Sequence, residues 1–157
     1  MQNNENKPKG KWTVALLTFV AGMVAMVGIG VAFKGTDRAG FCASCHVMNE
    51  AAWTHKQSVH GQFDCNECHT PYPLASKLPF KAAIGMHDIL VNTMSNVPSL
   101  IQADKATKDV IQANCRRCHV GTTMNVAMDA KQYCTDCHRA VPHNKKIPID
   151  RRKAADV

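Results

Sequence analysis

FCASCHVMNE, residues 41–50, decides how this chain is read. Cys42 and Cys45 stand three apart, His46 follows at once, and Met48 comes two residues later. The same arrangement, C-x-x-C-H, recurs as CNECH at 65–69, CRRCH at 115–119 and CTDCH at 134–138. Together the four motifs use all 8 cysteines of the chain. A disulfide framework does not require a histidine after every second cysteine. A Cys₄ zinc site leaves the same histidines unexplained. Thioredoxin-like motifs do not come in fours without a βαβ pattern. Covalent haem accounts for every part. The two thiols of a motif add to the two vinyl groups of one porphyrin, and the adjacent histidine reaches the iron from the same side. Cys42, Cys45, Cys65, Cys68, Cys115, Cys118, Cys134 and Cys137 are therefore expected to carry four c-type haems.

Working outward, residues 12–33 (WTVALLTFVAGMVAMVGIGVAF) carry no charge. A helix of that length, at about 1.5 Å per residue, crosses the hydrocarbon core of a bilayer. The run is too long for the apolar region of a cleaved signal, and it has no polar face to suit a soluble helix. Lys7, Lys9 and Lys11 precede it, so the positive-inside rule puts residues 1–11 in the cytoplasm as a short tail. Residues 34–157 are then exported as the haem domain. The expected location is the inner membrane, crossed once. Attachment of c-type haem outside the cytoplasm agrees with that topology.

The formal charge of +7 does not signal nucleic acid, because an exported domain meets none and no basic run is interleaved with aromatics. Each haem brings two propionates, and counting them lowers the total to about +3 oxidised and about −1 reduced. Arg116, Arg117, Arg139, Lys145 and Lys146 lie beside motifs, where they suit propionates or solvent equally.

The expected fold is mainly α and irregular, with one membrane helix and a small domain whose core is its haems. Helices are expected over 46–60, stopped by Gly61 at a C′ position, and from Pro79, as first helical residue, to before Pro98. A shorter one is expected over 103–115, leading into the third motif. No alternating strand pattern persists. The motifs fall into two pairs, with first cysteines 42 and 65, then 115 and 134.

Four histidines lie in motifs (His46, His69, His119, His138) and four outside them (His55, His60, His87, His143). Low-potential haems take a second histidine. His60 and His143 each stand too near their own motif to cross to its far face, so each is assigned to a neighbour. His143 is paired with His69 on the second haem, and His60 with His119 on the third. His138 serves the fourth. His55 suits a propionate hydrogen bond or ligation; His87 suits ligation, proton handling or packing. Met86, Met94, Met124 and Met128 suit packing against porphyrin.

The anchor, the four motifs and a first motif reading CxxCHxM resemble the NapC/NirT family of membrane tetrahaem quinol dehydrogenases. The short length is most like members that serve as the small subunit of a cytochrome c nitrite reductase. The resemblance implies that menaquinol is oxidised at the membrane and that electrons pass along the haems to a periplasmic nitrite reductase catalytic subunit, in a hetero-oligomer. It implies Met48, not His46, as ligand of the first haem, with the far face open beside the quinol site. It implies an acidic residue and a lysine there, matched by Asp88 and Lys81. The last haem is completed by the partner. The residues alone leave two other readings open: the same role for a different reductase, and a tethered electron shuttle without a quinol site.

Overall fold

The computed structural model describes residues 9–94, 97–127, 131–144 and 148–151. Met128, Lys145, Lys146 and Lys7 lie outside these, as does most of the 1–11 tail. Among the described residues there is no strand; the chain is helical, as its pattern predicts. It divides into two compact units, 1–36 and 37–157.

The first unit is essentially one helix, α1 (Lys9–Gly35), which contains the whole uncharged run and extends past both its ends. From Gly10 to Gly35 it is long and apolar enough to cross a membrane. Its large side chains, from Trp12 to Val31, point outward. That suits a helix whose solvent is lipid. The polar Thr18 hydroxyl is satisfied within the helix, donating to the carbonyls of Val14 (3.1 Å) and Ala15 (2.9 Å).

The second unit winds short helices around the motifs. These are α2 (Ala39–Cys42), α3 (Asn49–Lys56), α4 (Cys65–His69), α5 (Leu74–Thr93), α6 (Lys105–Cys118), α7 (Val120–Thr123) and α8 (Cys134–Cys137). Short 3₁₀ turns cover His46–Met48 and Ile149–Arg151. α6 begins where its sequence marks it: Asp104 is the N-cap and accepts from the Thr107 N–H at 2.8 Å.

Two expected boundaries are corrected. The helix expected over 46–60 is broken. A 3₁₀ turn precedes α3, which stops at Lys56, and separate turns bond Ser58 to His55, Gly61 to Ser58 and Phe63 to His60. Gly61 is not a left-handed cap. A Cβ there would press on the Lys56 carbonyl oxygen, on its carbon at 2.8 Å and on the His55 oxygen at 2.9 Å. Close backbone approach, not backbone handedness, demands the glycine. The second correction is at Pro79, which lies inside α5 and does not open it. Pro73, extended at φ −64° and ψ 130°, is the N-cap instead. The added first turn is held by tertiary contact: Lys77 within it bonds Asp37 at 2.8 Å.

Among the described residues no apolar side chain is buried. The buried ones are Asp37, Thr54, His55, Thr70 and Asn114, all polar. Phe41, Trp53, Phe63 and Tyr72 are exposed around the motifs. A unit of this length normally closes over an apolar core of its own. A haem core takes that place in the expected fold, and polar ties link the motifs within the protein itself. Asn66 of the second motif donates to Asp37, five residues before the first, at 2.7 Å. Asn114, just before the third motif, donates to the carbonyls of Cys68 (3.0 Å) and Thr70 (2.8 Å) at the second. Gln112 accepts from the Cys134 N–H, at the fourth, at 2.8 Å. Tyr133 adds a bond to Asp109 at 2.9 Å. Consecutive motifs are thus neighbours in space as in sequence.

Candidate functional site

The motif cysteines do not sit on one common backbone. In α4, α8 and the last turn of α6 the two cysteines are three apart on a helix, which puts both thiols on one face. The first motif is different. α2 ends at Cys42, Cys45 is extended at φ −93° and ψ 123°, and His46–Met48 form the 3₁₀ turn. With about three residues per turn, residues two apart diverge by roughly 120°. His46 and Met48 therefore point different ways. His46 is exposed and Met48 half-buried.

The other histidines gather. The rings of His60 and His119 have centroids 6.0 Å apart at 79°. Those of His69 and His143 lie 6.1 Å apart at 46°. His55, buried, is 5.7 Å from His143. Burial first, and His60 second, hold His55 below the ordinary histidine range, so its ring is neutral. The His143 Nδ1 lies 3.0 Å from the Ala51 carbonyl and must donate to it. That tautomer leaves the Nε2 lone pair available to a metal. An iron with nitrogens about 2 Å away on opposite sides, each ring centre about 1 Å further, sets two imidazole centroids about 6 Å apart. The His60–His119 and His69–His143 spacings are near that figure, as is His55–His143, so this histidine cluster has the donor type and the spacing that bis-histidine haem needs without singling out the pairs.

Of the basic residues expected at propionates, Arg117 stands over the Tyr72 ring at 4.0 Å and 3.7 Å from Glu67, and Arg139 donates to the Asp136 carbonyl at 3.0 Å. Both already have protein partners.

Lys81 and Asp88 share α5 but do not meet. The Lys81 Nζ bonds Asp37 at 2.6 Å and its side chain is 14% exposed. The Asp88 carboxylate is 72% exposed and lies 3.5 Å from His87 Nδ1.

Asp37 is the site residue that sequence reading missed. Its carboxylate accepts from Asn66, Lys77 and Lys81. Burial pushes its pKa up, but the hydrogen bonds from Lys77, Lys81 and Asn66 outweigh it and hold the group at about 2. One sign was available: Asp37 is the only acidic residue between Glu5 and Glu50.

A profile of the NapC/NirT cytochrome c family, N-terminal region, matches residues 5–148. The chain belongs to the NapC/NirT cytochrome c family. Membership of a cytochrome c family implies c-type haem, and the chain is an electron-transfer protein. Among its relatives, cytochrome c nitrite reductase subunit NrfH of Nitratidesulfovibrio vulgaris is 48% identical over 136 residues, 86% of each chain. The cytochrome c-type protein TorC of Escherichia coli is 28% identical, over 90% of this chain but 45% of TorC. A crystal structure of the cytochrome c nitrite reductase NrfHA complex bound to the HQNO inhibitor matches with a TM-score of 0.79 at 46% identity, over 92% of this chain and 99% of that one.

Proposed function

We propose that this chain is the membrane-anchored menaquinol dehydrogenase of a cytochrome c nitrite reductase complex, passing electrons through four c-type haems to a periplasmic catalytic subunit. The observation that carries this is 48% identity to a nitrite reductase subunit along 86% of both chains. The match to a complex that holds the inhibitor HQNO supports a quinol site in the same reading. α1 is the anchor. Lys9 and Lys11 at its start keep the N-terminus cytoplasmic, which makes the haem domain periplasmic.

Bound haem supplies one-electron carriers; the chain's residues decide where each sits and what faces it. His69 and His143 hold the second haem, and His119 and His60 the third, a pairing that the ring spacings given above allow. His138 holds the fourth, whose other ligand comes from the partner. Met48 holds the first, as the family resemblance implies. Lys81 and Asp88 line the quinol site beside it on the same resemblance. Lys81 suits a quinol oxygen, and Asp88, open to water, suits a proton leaving it. The polar ties between successive motifs fix the order of carriers along the chain.

The test is capture of the assembled complex from membranes, followed by menaquinol-dependent nitrite reduction. The reading requires co-purification with a multihaem nitrite reductase and inhibition by HQNO. A partner that reduces another substrate, such as an N-oxide, transfers the same donor role to a different reductase. Quinol-independent, HQNO-insensitive electron transfer leaves only a tethered shuttle.

A further inference from the structure

Asp37 is the most deeply buried side chain described, at 1% exposure, and three donors converge on it. Asn66 Nδ2 at 2.7 Å and Lys81 Nζ at 2.6 Å reach Oδ1; Lys77 Nζ at 2.8 Å reaches Oδ2. The donors come from different elements. Asn66 is the residue after the first cysteine of the second motif, while Lys77 and Lys81 lie one turn apart on α5. A carboxylate taken out of water is costly unless charged partners surround it, and two ammonium groups do so here. Neither lysine is a loose surface chain: their side chains are 15% and 14% exposed.

We propose that Asp37 is the positioning residue of the quinol site: its buried carboxylate fixes the Lys81 ammonium beside the first haem motif and ties it, through Asn66, to the second. The inference rests on the reading of Lys81 as a quinol-site residue. A lysine with free rotamers loses them when it grips a ligand oxygen; one already held by Asp37 has lost them on folding, worth roughly tenfold in affinity. Lys77 shares the load. Without it, Asp37 faces only one charge, and without Asp37 two ammonium groups one turn apart repel each other. Asp37 stands five residues before Cys42 and bonds Asn66 beside Cys65, which puts the assembly next to the first two motifs.

The experiment is HQNO titration of the full chain in its complex, with four haems per chain verified for every variant. Asp37→Asn and Lys81→Ala are each expected to weaken HQNO about tenfold. The double variant is expected to be no weaker than Lys81→Ala alone, because the two act as one unit. Asp37→Glu is expected to recover part of the loss, and in Asp37→Asn the quinol KM rises while kcat is retained. If Lys81→Ala weakens HQNO but Asp37→Asn stays within twofold, the positioning role is overturned and Lys81 keeps its own. If the two losses multiply, Asp37 acts other than through Lys81, which also overturns it. If Lys81→Ala has no effect, the quinol reading of Lys81 falls first and this inference with it. Should Asp37→Asn not accumulate with four haems, Asn66→Ala is read in its place: threefold weakening or more supports the role, and none overturns it.

Discussion

Replacing Asn114 by leucine tests whether polar ties, rather than an apolar protein core, hold the motifs in register. Asn114 is 5% exposed and donates both amide hydrogens, to Cys68 O at 3.0 Å and Thr70 O at 2.8 Å. Leucine has the same number and branching of side-chain heavy atoms, so the shape is kept while the hydrogen-bonding groups are removed. Both bonds go, and two acceptors lose their partner beside Thr70, itself 5% exposed. Each lost bond costs about 1 kcal/mol and a stranded buried acceptor more, for a total of about 2–4 kcal/mol. In a unit somewhat over a hundred residues long, about 4 °C of Tm is lost per kcal/mol, which predicts a fall of roughly 10 °C. The assay is thermal unfolding of the four-haem protein in detergent, followed in the Soret circular dichroism. Asn92→Leu, on the exposed side of α5, is the control, with an expected change within about 0.5 kcal/mol. A shift below about 2 °C for Asn114→Leu, with haem content intact, refutes the reasoning: the haems would then set the register without the clasp.

Other expected outcomes follow from the same geometry. Asp37, at about 2 in the folded chain against an ordinary 3.8, is a group with a depressed pKa. Its contribution of about 2 kcal/mol is present above pH 4 and lost as pH falls through 2. Urea unfolding between pH 6 and pH 2 should show that loss in the native chain and not in Asp37→Asn. Gly61→Ala should lower stability by about 1–3 kcal/mol, since all three atoms it meets are backbone and cannot turn aside; an unchanged Tm would reject the close-approach account. His143→Ala should convert one haem from low-spin bis-histidine to high spin by electron paramagnetic resonance; four unaltered signals would exclude His143 as a ligand.

What the sequence made legible is what covalent chemistry and the bilayer write into it. A porphyrin demands two thiols and a histidine at fixed spacing, and a membrane demands an uninterrupted apolar run. The motifs, the anchor and the helical class could be read for that reason. Boundaries were less legible where tertiary contact outranks local pattern. Pro79 resembles a helix start, but Lys77 is held by Asp37 and draws the helix back to Leu74. The ties themselves were invisible. Asp37 and Asn66 are 29 residues apart, Asp37 and Lys81 44, and Asn114 and Thr70 44. No periodicity records contacts at such distances. Lys81 and Asp88 are named from the family resemblance, and no spacing could show that Lys81 is held by Asp37 while Asp88 lies open beside His87.

The first motif now reads differently from the other three, and the reason is in its backbone. Where the other cysteine pairs ride a helix, the chain here leaves α2 at Cys42, passes through an extended Cys45 and turns in 3₁₀ form. On a continuous α-helix, residues 46 and 48 would be about 200° apart around the axis, a divergence of about 160°. On the 3₁₀ turn they diverge by about 120°. Either way one porphyrin face cannot receive both. The turn leaves His46 exposed and Met48 half-buried, so methionine is the side chain held on the inside. A methionine ligand raises the potential of a haem relative to a second histidine. A higher potential at the first haem favours the first electron transfer from a quinol. With Met48 as the proposed ligand, the departure from helix at Cys45 sets the first position apart from the other three, and the buried Asp37–Lys81 pair gives it a different charge environment.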